Sequence, residues 1–424
     1  MTSDSASVEV EADPDARAAP LLAEPREGIP TPITEPAQLR DAIARLADGA
    51  GPVALDAERA SGYRYSQRAY LVQLRRNGAG TVLIDPIALP DLQPLGEVLR
   101  DQEWILHAAL QDLPCLAPLG LTPARLFDTE LAGRLLGEER VSLGAMIERH
   151  LGVRLEKGHS AADWSTRPLP REWLAYAALD VELLIDLRDA LARALRDAGK
   201  QDWAREEFAA QLRATPAPPR ADPWRRIAGL HALRRPRQLA EARALWQARD
   251  EFAAARDIAP RRVLPDSAII AAVRAHPVTE QALVALPVFG GRQQRRQAGR
   301  WFAALAAARA LPDAELPRHS TPPGASPPPP ARWRDRDRRA ANRLAAARSA
   351  IAEIAAARGV QQQSLVAADG VRRLAWEPPT PINVDSVAAA LRADGAREWQ
   401  IALVAQPLVA ALADPPVPEP GPAP

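Results

Sequence analysis

The placement of proline constrains this chain more than any other feature. Proline clusters at 214–221 (ATPAPPRA), at 316–331 (LPRHSTPPGASPPPPA) and in the closing VPEPGPAP are stretches where neither helix nor sheet can continue. They divide the 424 residues into three candidate folding units, 28–212, 222–310 and 332–412. Linkers are expected at 213–221 and 311–331, with tails over 1–27 and 413–424. Residues 1–26 hold six acids against two arginines with no apolar period, so an unstructured acidic tail is expected there.

Composition excludes several classes. With 25% charged and 47% hydrophobic residues the chain has the balance of a globular protein, and 54 basic against 53 acidic residues leave a net charge of +1. One cysteine, Cys115, forms no internal disulfide, and six scattered histidines show no zinc-ligand spacing. The first residues contain no apolar signal segment, and no run reaches the roughly 18 apolar residues of a membrane span, so a cytoplasmic location without a membrane partner is expected. Only Lys157 and Lys200 are lysines. Arginine abundance in an alanine- and proline-rich chain reflects codon bias first, so the location of the charge is more informative than its amount.

The first unit mixes strands and helices. A helix over 36–47 precedes the strand-like runs PVALDAE, AYLVQLRR and TVLIDP; WILHA follows at 104–108, then helical segments near 112–119, 129–136 and 142–151, and a long helix from Pro170 to about Asp197. This order implies an α/β sheet covered by helices. The second and third units show only helical periodicity and partly repeat each other: Ala253–Ile258 (AAARDI) aligns with Ala355–Val360 (AAARGV), and the apolar pairs Val263-Leu264 and Leu365-Val366 follow at equal distance. Sixteen arginines face seven acids between 222 and 310, a net of +9 concentrated in one helical module. Arg234, Arg235, Arg295 and Arg296, interleaved with Trp224, Trp246 and Trp301, form a candidate nucleic-acid patch; a solvated face in an arginine-biased protein is the alternative.

The chemistry falls on acids in the first unit. In Val53–Glu58 an apolar strand delivers Asp56 and Glu58 at i and i+2, on one face. Two adjacent carboxylates repel unless a divalent cation such as Mg²⁺ or Mn²⁺ lies between them. Taken alone, such a pair is more often a solvated strand end. Asp112 follows strand WILHA and stands before Pro114, where an N-cap role competes with a functional one. His107 at the strand end can be structural. Tyr176 and Asp180 share a helical face at i,i+4, with core packing and solvent exposure as their alternatives.

In this order, Asp56-x-Glu58, His107 to Asp112 and Tyr176-x-x-x-Asp180, the elements resemble the catalytic domain of the ribonuclease D family, tyrosine-bearing members of the DEDD 3′-to-5′ exonucleases. LDAER, YLVQLRR, VLIDP, ILHAALQDL, LFDTELAGRLLG, SLGAMIERHLGVRLEK, DWSTRPL and YAALDV carry the resemblance. It implies a ribonuclease-H-like (DnaQ-like) α/β domain over 28–212 followed by two all-α HRDC-like domains, the second degenerate. It implies a 3′-to-5′ exoribonuclease releasing nucleoside 5′-monophosphates, with RNA, such as tRNA precursors, as partner. A DNA exonuclease of the same superfamily and an inactive nucleic-acid-binding protein are the competing readings. By the same resemblance Asp56, Glu58, Asp112 and Asp180 hold two Mg²⁺ or Mn²⁺ ions about 4 Å apart. Tyr176 orients the attacking water, and His107, Gln73 and Lys157 contact the terminal nucleotide or phosphate. Asp128 is read as a helix cap.

Overall fold

A computed structural model describes residues 19–156, 158–159, 161–215, 221–289, 291–318 and 327–413. Most of the expected tails and the centres of both proline linkers lie outside these residues, as does Lys157. The first unit, which carries the candidate acids, is built on a five-stranded mixed sheet of β1 (Ala50–Arg59), β2 (Ala69–Asn77), β3 (Gly80–Ile84), β4 (Glu103–Leu106) and β5 (Arg125–Asp128), in spatial order β3-β2-β1-β4-β5. The first three strands form an antiparallel meander, and β4 and β5 add parallel to β1. Central strand β1 buries Val53, Ala54 and Leu55 completely, as a strand covered on both faces must.

The fold corrects three sequence expectations. Strand β5 has no counterpart among them, because four residues are too few to show a period. The long helix from Pro170 is two helices, α4 (Arg171–Glu182) and α5 (Leu184–Asp197), broken at Leu183. The break lets α4 lie across β1, β2 and β3 while α5 packs on β1 and β4. The acidic tail is also ordered before residue 28: Leu21–Leu22 pairs in parallel with Arg154–Leu155, and Glu24 and Glu27 meet Arg171 and Arg75 at 2.8 and 3.2 Å. Two apolar residues in an acidic stretch give no signal until a partner strand is present.

Between β3 and α4 the chain is fixed by Arg167, whose guanidinium holds Asp85 at 2.6 and 2.8 Å and donates to the Tyr70 carbonyl at 2.7 Å. Two further helices of the unit are α1 (Pro36–Asp48), started by a capping box between Glu35 and Gln38, and α2 (Thr129–Leu136); α3 (Leu143–Leu151) packs on α5 and the Arg154–Leu155 strand, and α6 (Gln201–Arg213) closes the unit.

The two helical units repeat in structure as in sequence. Helix α7 (Pro236–Arg256) and helix α8 (Arg338–Arg358) are both 21 residues long, and each ends on a left-handed residue, Asp257 at φ 48° and Gly359 at φ 56°. Each is followed by a four-residue helix, Pro260–Val263 or Gln362–Leu365, that buries its apolar pair. The same corner of each repeat docks on the catalytic unit. Asp257 accepts from Ser66 N at 2.8 Å and Ala259 N donates to Tyr63 O at 2.9 Å. At the matching positions, Gly359 O accepts from Lys200 Nζ at 2.9 Å and Gln361 Nε2 donates to Glu138 O at 3.0 Å.

The middle unit has its own core, around Trp224, Leu245, Ile269 and Trp301. The last unit shares one continuous core with the catalytic sheet, running from Leu55 and Ile105 through Phe208 to Trp333, Trp399 and Leu408. Helix α9 (Glu398–Ala413) carries the joint: Trp399 stacks on Trp203 of α6 at 4.6 Å and donates to Glu207 Oε1 at 3.0 Å, while Arg397 pairs with the other Glu207 oxygen. Trp399→Ala should therefore cost about 3–5 kcal/mol, leaving a cavity and removing the donor to Glu207 Oε1 while Arg397 still holds the other oxygen. Urea denaturation should show the catalytic unit losing stability together with the C-terminal unit; a separate, earlier transition confined to the C-terminal helices would contradict a shared core.

Candidate active site

The C-terminal end of β1 presents Asp56 and Glu58 to α4, which brings Asp180 over them. One carboxylate oxygen from each of these three lies within 4.8 Å of the other two. Asp112 enters from the loop after β4 and lines the same cavity of about 460 Å³, together with Arg59, His107 and Tyr176. A larger groove of about 780 Å³ continues from Tyr176 and Asp180 past Ser142 towards Arg140 and Arg154. Four acids from widely separated parts of the sequence are thus brought to one cleft.

The electrostatics are those of charges crowded out of water. Burial raises Asp56 to about 6 and Asp112 to about 8, with the Asp56 charge adding to the second shift. Glu58 and Asp180 are pushed well above the carboxylate range by burial and then by the Asp56 charge. Burial and then the nearby acids, Asp180 first among them, raise the Tyr176 phenol, so it remains a neutral donor beside Asp180. Burial lowers His107, whose Nδ1 lies 2.9 Å from Thr129 Oγ1, so it forms a neutral wall of the cavity.

The frame that holds these groups is only partly visible in the sequence. Asp112 occupies the N-cap position of a short helix, yet its side chain makes no cap hydrogen bond and faces Arg59, 3.9 Å away. Asp128 does cap α2, accepting from Glu130 N and Leu131 N at 2.9 and 3.1 Å, as expected. It also accepts from Ala108 N and Ala109 N at 3.1 and 2.9 Å and from Gln211 Nε2 at 2.8 Å, and so holds the turn in which Ala108 takes φ 61°. That turn aims Asp112.

Gln73 requires a correction. The expected contact with substrate is not what the structure gives it: Gln73 is fully buried beside Asp56, its register partner on β1, and its Nε2 donates to Asp56 Oδ2 at 2.9 Å. Its reach into the site is only through Asp56. Arg59 escapes sequence reasoning altogether, because strict alternation places residue 59 on the face opposite Glu58. The register shift between Glu58 and Arg59 breaks that alternation and turns the guanidinium towards Asp112.

The four patch arginines, Arg234, Arg235, Arg295 and Arg296, are all exposed on the middle unit. Two of the three tryptophans read with them are not available: Trp224 and Trp301 are 3% and 0% exposed and belong to the core. Trp246 is half-buried.

A mixed sheet with acids from its central strand, its crossover loop and its covering helix defines a 3′-5′ exonuclease domain. The family model described as 3′-5′ exonuclease matches residues 30–196, that described as HRDC domain matches 238–305, and one described as 3′ to 5′ exonuclease C-terminal domain matches 326–412. Ribonuclease D of Acidiphilium cryptum is 32% identical over 371 residues, covering 83% of this chain and 88% of its own length. Ribonuclease D of Gluconacetobacter diazotrophicus is 34% identical over 63% of this chain and 69% of its own. The crystal structure of a Bifidobacterium adolescentis protein superposes with a TM-score of 0.86 at 38% identity, covering 93% of this chain and all of that one. Escherichia coli RNase D, described as an exoribonuclease involved in structured RNA processing, superposes at 0.65 with 26% identity over 90% of this chain and 98% of its own. The chain belongs to the ribonuclease D family of 3′-5′ exoribonucleases.

Carboxyls raised by burial make metal-free stability depend on pH. Below about pH 4 they are protonated in folded and unfolded chains alike and carry no penalty. As pH rises through the folded values of about 6 for Asp56 and about 8 for Asp112, the unfolded chain has already released protons that the folded site retains, so folding weakens. In EDTA, Asp112→Asn should flatten this loss; thermal unfolding of both proteins between about pH 4 and pH 8 checks it.

Proposed function

We propose that this chain removes nucleotides one at a time from the 3′ end of RNA, releasing nucleoside 5′-monophosphates, and that its natural substrates are structured RNAs such as tRNA precursors. The observation that carries the reading is the convergence of Asp56, Glu58 and Asp180 within 4.8 Å of one another, with Asp112 in the same cavity. An all-oxygen donor set of buried, mutually repelling carboxylates fits hard divalent cations, Mg²⁺ or Mn²⁺, and not softer metals. Asp56, Glu58 and Asp180 would hold one ion, and Asp56 with Asp112 a second. When bound, such a pair supplies an activated water and neutralises charge on the leaving 3′ oxygen.

The chain's own groups do the rest. Tyr176, neutral and lining the same cavity as Asp180, can orient a water at the cluster by its hydroxyl. Gln73 fixes the rotamer of Asp56 by its 2.9 Å bond. Arg59 places a permanent cation at the edge of the acids, where a phosphate can approach without meeting negative charge alone. His107 offers a neutral ring edge to the terminal nucleotide. The involvement of structured RNA rests on the family and on the Escherichia coli relative.

Asp180→Ala should abolish release of nucleotides from 5′-labelled RNA oligomers, as should EDTA, while circular dichroism remains that of the wild type. Normal shortening of RNA by that variant would overturn the assignment. Tyr176→Phe removes a positioning hydroxyl and no carboxylate, so its single-turnover rate should fall on the order of 10²-fold, between the wild type and Asp180→Ala. An undiminished rate would make Tyr176 a packing residue. Matched DNA oligomers in the same assay separate an RNA enzyme from a DNA exonuclease.

A further inference from the structure

The catalytic unit and the HRDC unit enclose a second cavity, about 340 Å³, that contains none of the four acids. On the catalytic side its wall is Ser61 and Gly62, in the loop that leaves β1. Gly62 is four residues past Glu58, so at most about 14 Å of chain separates the wall from the acids. A single strand with its 3′ end at the carboxylates can therefore reach this cavity within a few nucleotides.

The HRDC side of the wall is cationic. Arg226, Arg249 and Arg261 line it, against one acid, Asp266. Although partly buried, Asp266 is held below the usual carboxylate range by hydrogen bonds from Arg249 and Ala228 N, so it counts as one negative charge and leaves the wall at a net +2. Arg249 is only 5% exposed: its Nη1 donates to Leu264 O at 2.9 Å and Asp266 Oδ1 at 2.7 Å, and its buried Nε has no partner among the described residues. Arg261 stands 3.7 Å from Asp266 with its side chain 81% exposed, and Arg226 is exposed without a hydrogen bond or ion pair among the described residues. The rest of the wall is apolar, Pro223, Ile227, Ala259 and Pro260 together with Trp246, the one tryptophan of this unit that is half-buried and not fully enclosed by the core. A flat ring beside two available guanidinium groups and an incompletely satisfied third is suited to a nucleotide: base on the ring, phosphate on the cations.

We propose that this interdomain pocket holds a nucleotide of the RNA strand upstream of the end being cut, with its base against Trp246 and its phosphate on Arg226 and Arg261. The proposal rests on the exoribonuclease reading and adds a length-dependent subsite to it. It differs from the exposed patch of Arg234, Arg235, Arg295 and Arg296, because it joins the two units and lies close to the acids.

The test uses the full chain, with Trp246→Ala and, as a variant confined to exposed side chains, Arg226→Ser combined with Arg261→Ser. Binding of 5′-fluorescent oligoadenylates in EDTA reports affinity without turnover, and steady-state hydrolysis with Mg²⁺ separates KM from kcat. For an oligomer of about twelve nucleotides, each variant should weaken binding and raise KM on the order of tenfold with kcat unchanged. The difference should vanish for a dinucleotide, which is too short to span both sites. Unchanged affinity for the longer oligomer in the arginine variant would overturn the proposal. So would competition by a free nucleoside monophosphate that the variants abolish while binding of the longer oligomer stays intact, since the pocket would then be a mononucleotide site. Absence of hydrolysis in the wild type, with binding and its length dependence preserved, would instead count against the exoribonuclease reading.

Discussion

Mutual repulsion among four crowded carboxylates, two of them buried and two half-buried, is the constraint to which the rest of this structure answers. The carboxyls of Asp56, Glu58, Asp112 and Asp180 are all raised above the ordinary carboxylate range, and burial is the leading cause in every case. Left to relax, such groups would turn to solvent. They are held because each is mounted on an element that is immobile for other reasons: a central strand buried on both faces, a turn tied by Asp128, and a helix laid across three strands. Instability stored in this way is released when a divalent cation binds, so the same frame that weakens the metal-free fold supplies metal affinity.

The two helical units extend that frame in different ways from one repeated corner. Position 257 or 359, left-handed in both copies, is aspartate in the first and glycine in the second. Aspartate there gives a carboxylate for Ser66 N, so the first copy grips the loop beyond β1 through a polar contact. In the second copy the close approach is permitted by Gly137 of the catalytic unit, itself at φ 83°, where an added Cβ would lie 2.5 Å from Gly359 O. Lys200 fills the same joint, donating to Leu135 O and Gly359 O at 2.7 and 2.9 Å. The polar joint borders a cavity, and the close one is continuous with the core. One repeat is thereby suited to shaping a path for substrate, the other to stabilising the sheet.

Legibility in the sequence follows the strength of local periodicity and the range of the contacts. The helical repeat is a local pattern; the acids and the tyrosine, ambiguous one by one, are picked out by the order of their motifs and the family resemblance that order carries. Gln73 is recognisable but its partner is not, because which residue of β2 faces Asp56 depends on register across a hairpin. Arg59 is hidden by a bulge, a departure from alternation that no neighbouring residue announces. Asp128 reads as a cap, and its second function, holding the Ala108 turn, involves residues about twenty positions earlier. The break at Leu183 lies inside an uninterrupted helical pattern, and only the crossing of the sheet gives it a reason.

Arginine shows most clearly why composition cannot finish the argument. The net +9 of the middle unit counts every guanidinium alike, but many have structural partners. Arg309 donates to Pro277 O at 2.6 Å and pairs with buried Glu241 at 3.3 Å, Arg225 pairs with Asp222 at 2.8 Å, and Arg237 binds the Leu311 carbonyl and Asp313. Arg262 donates to Gly62 O and stacks over Tyr63 at 3.9 Å, so its charge serves the domain joint. These groups are held by desolvation and geometry, and they contribute to attraction for RNA only through the long-range field that salt screens. Contact with a particular nucleotide depends instead on cations with donors still to satisfy, next to a surface a base can cover. That condition selects Arg226 and Arg261 beside Trp246, at the seam between the HRDC unit and the exonuclease domain.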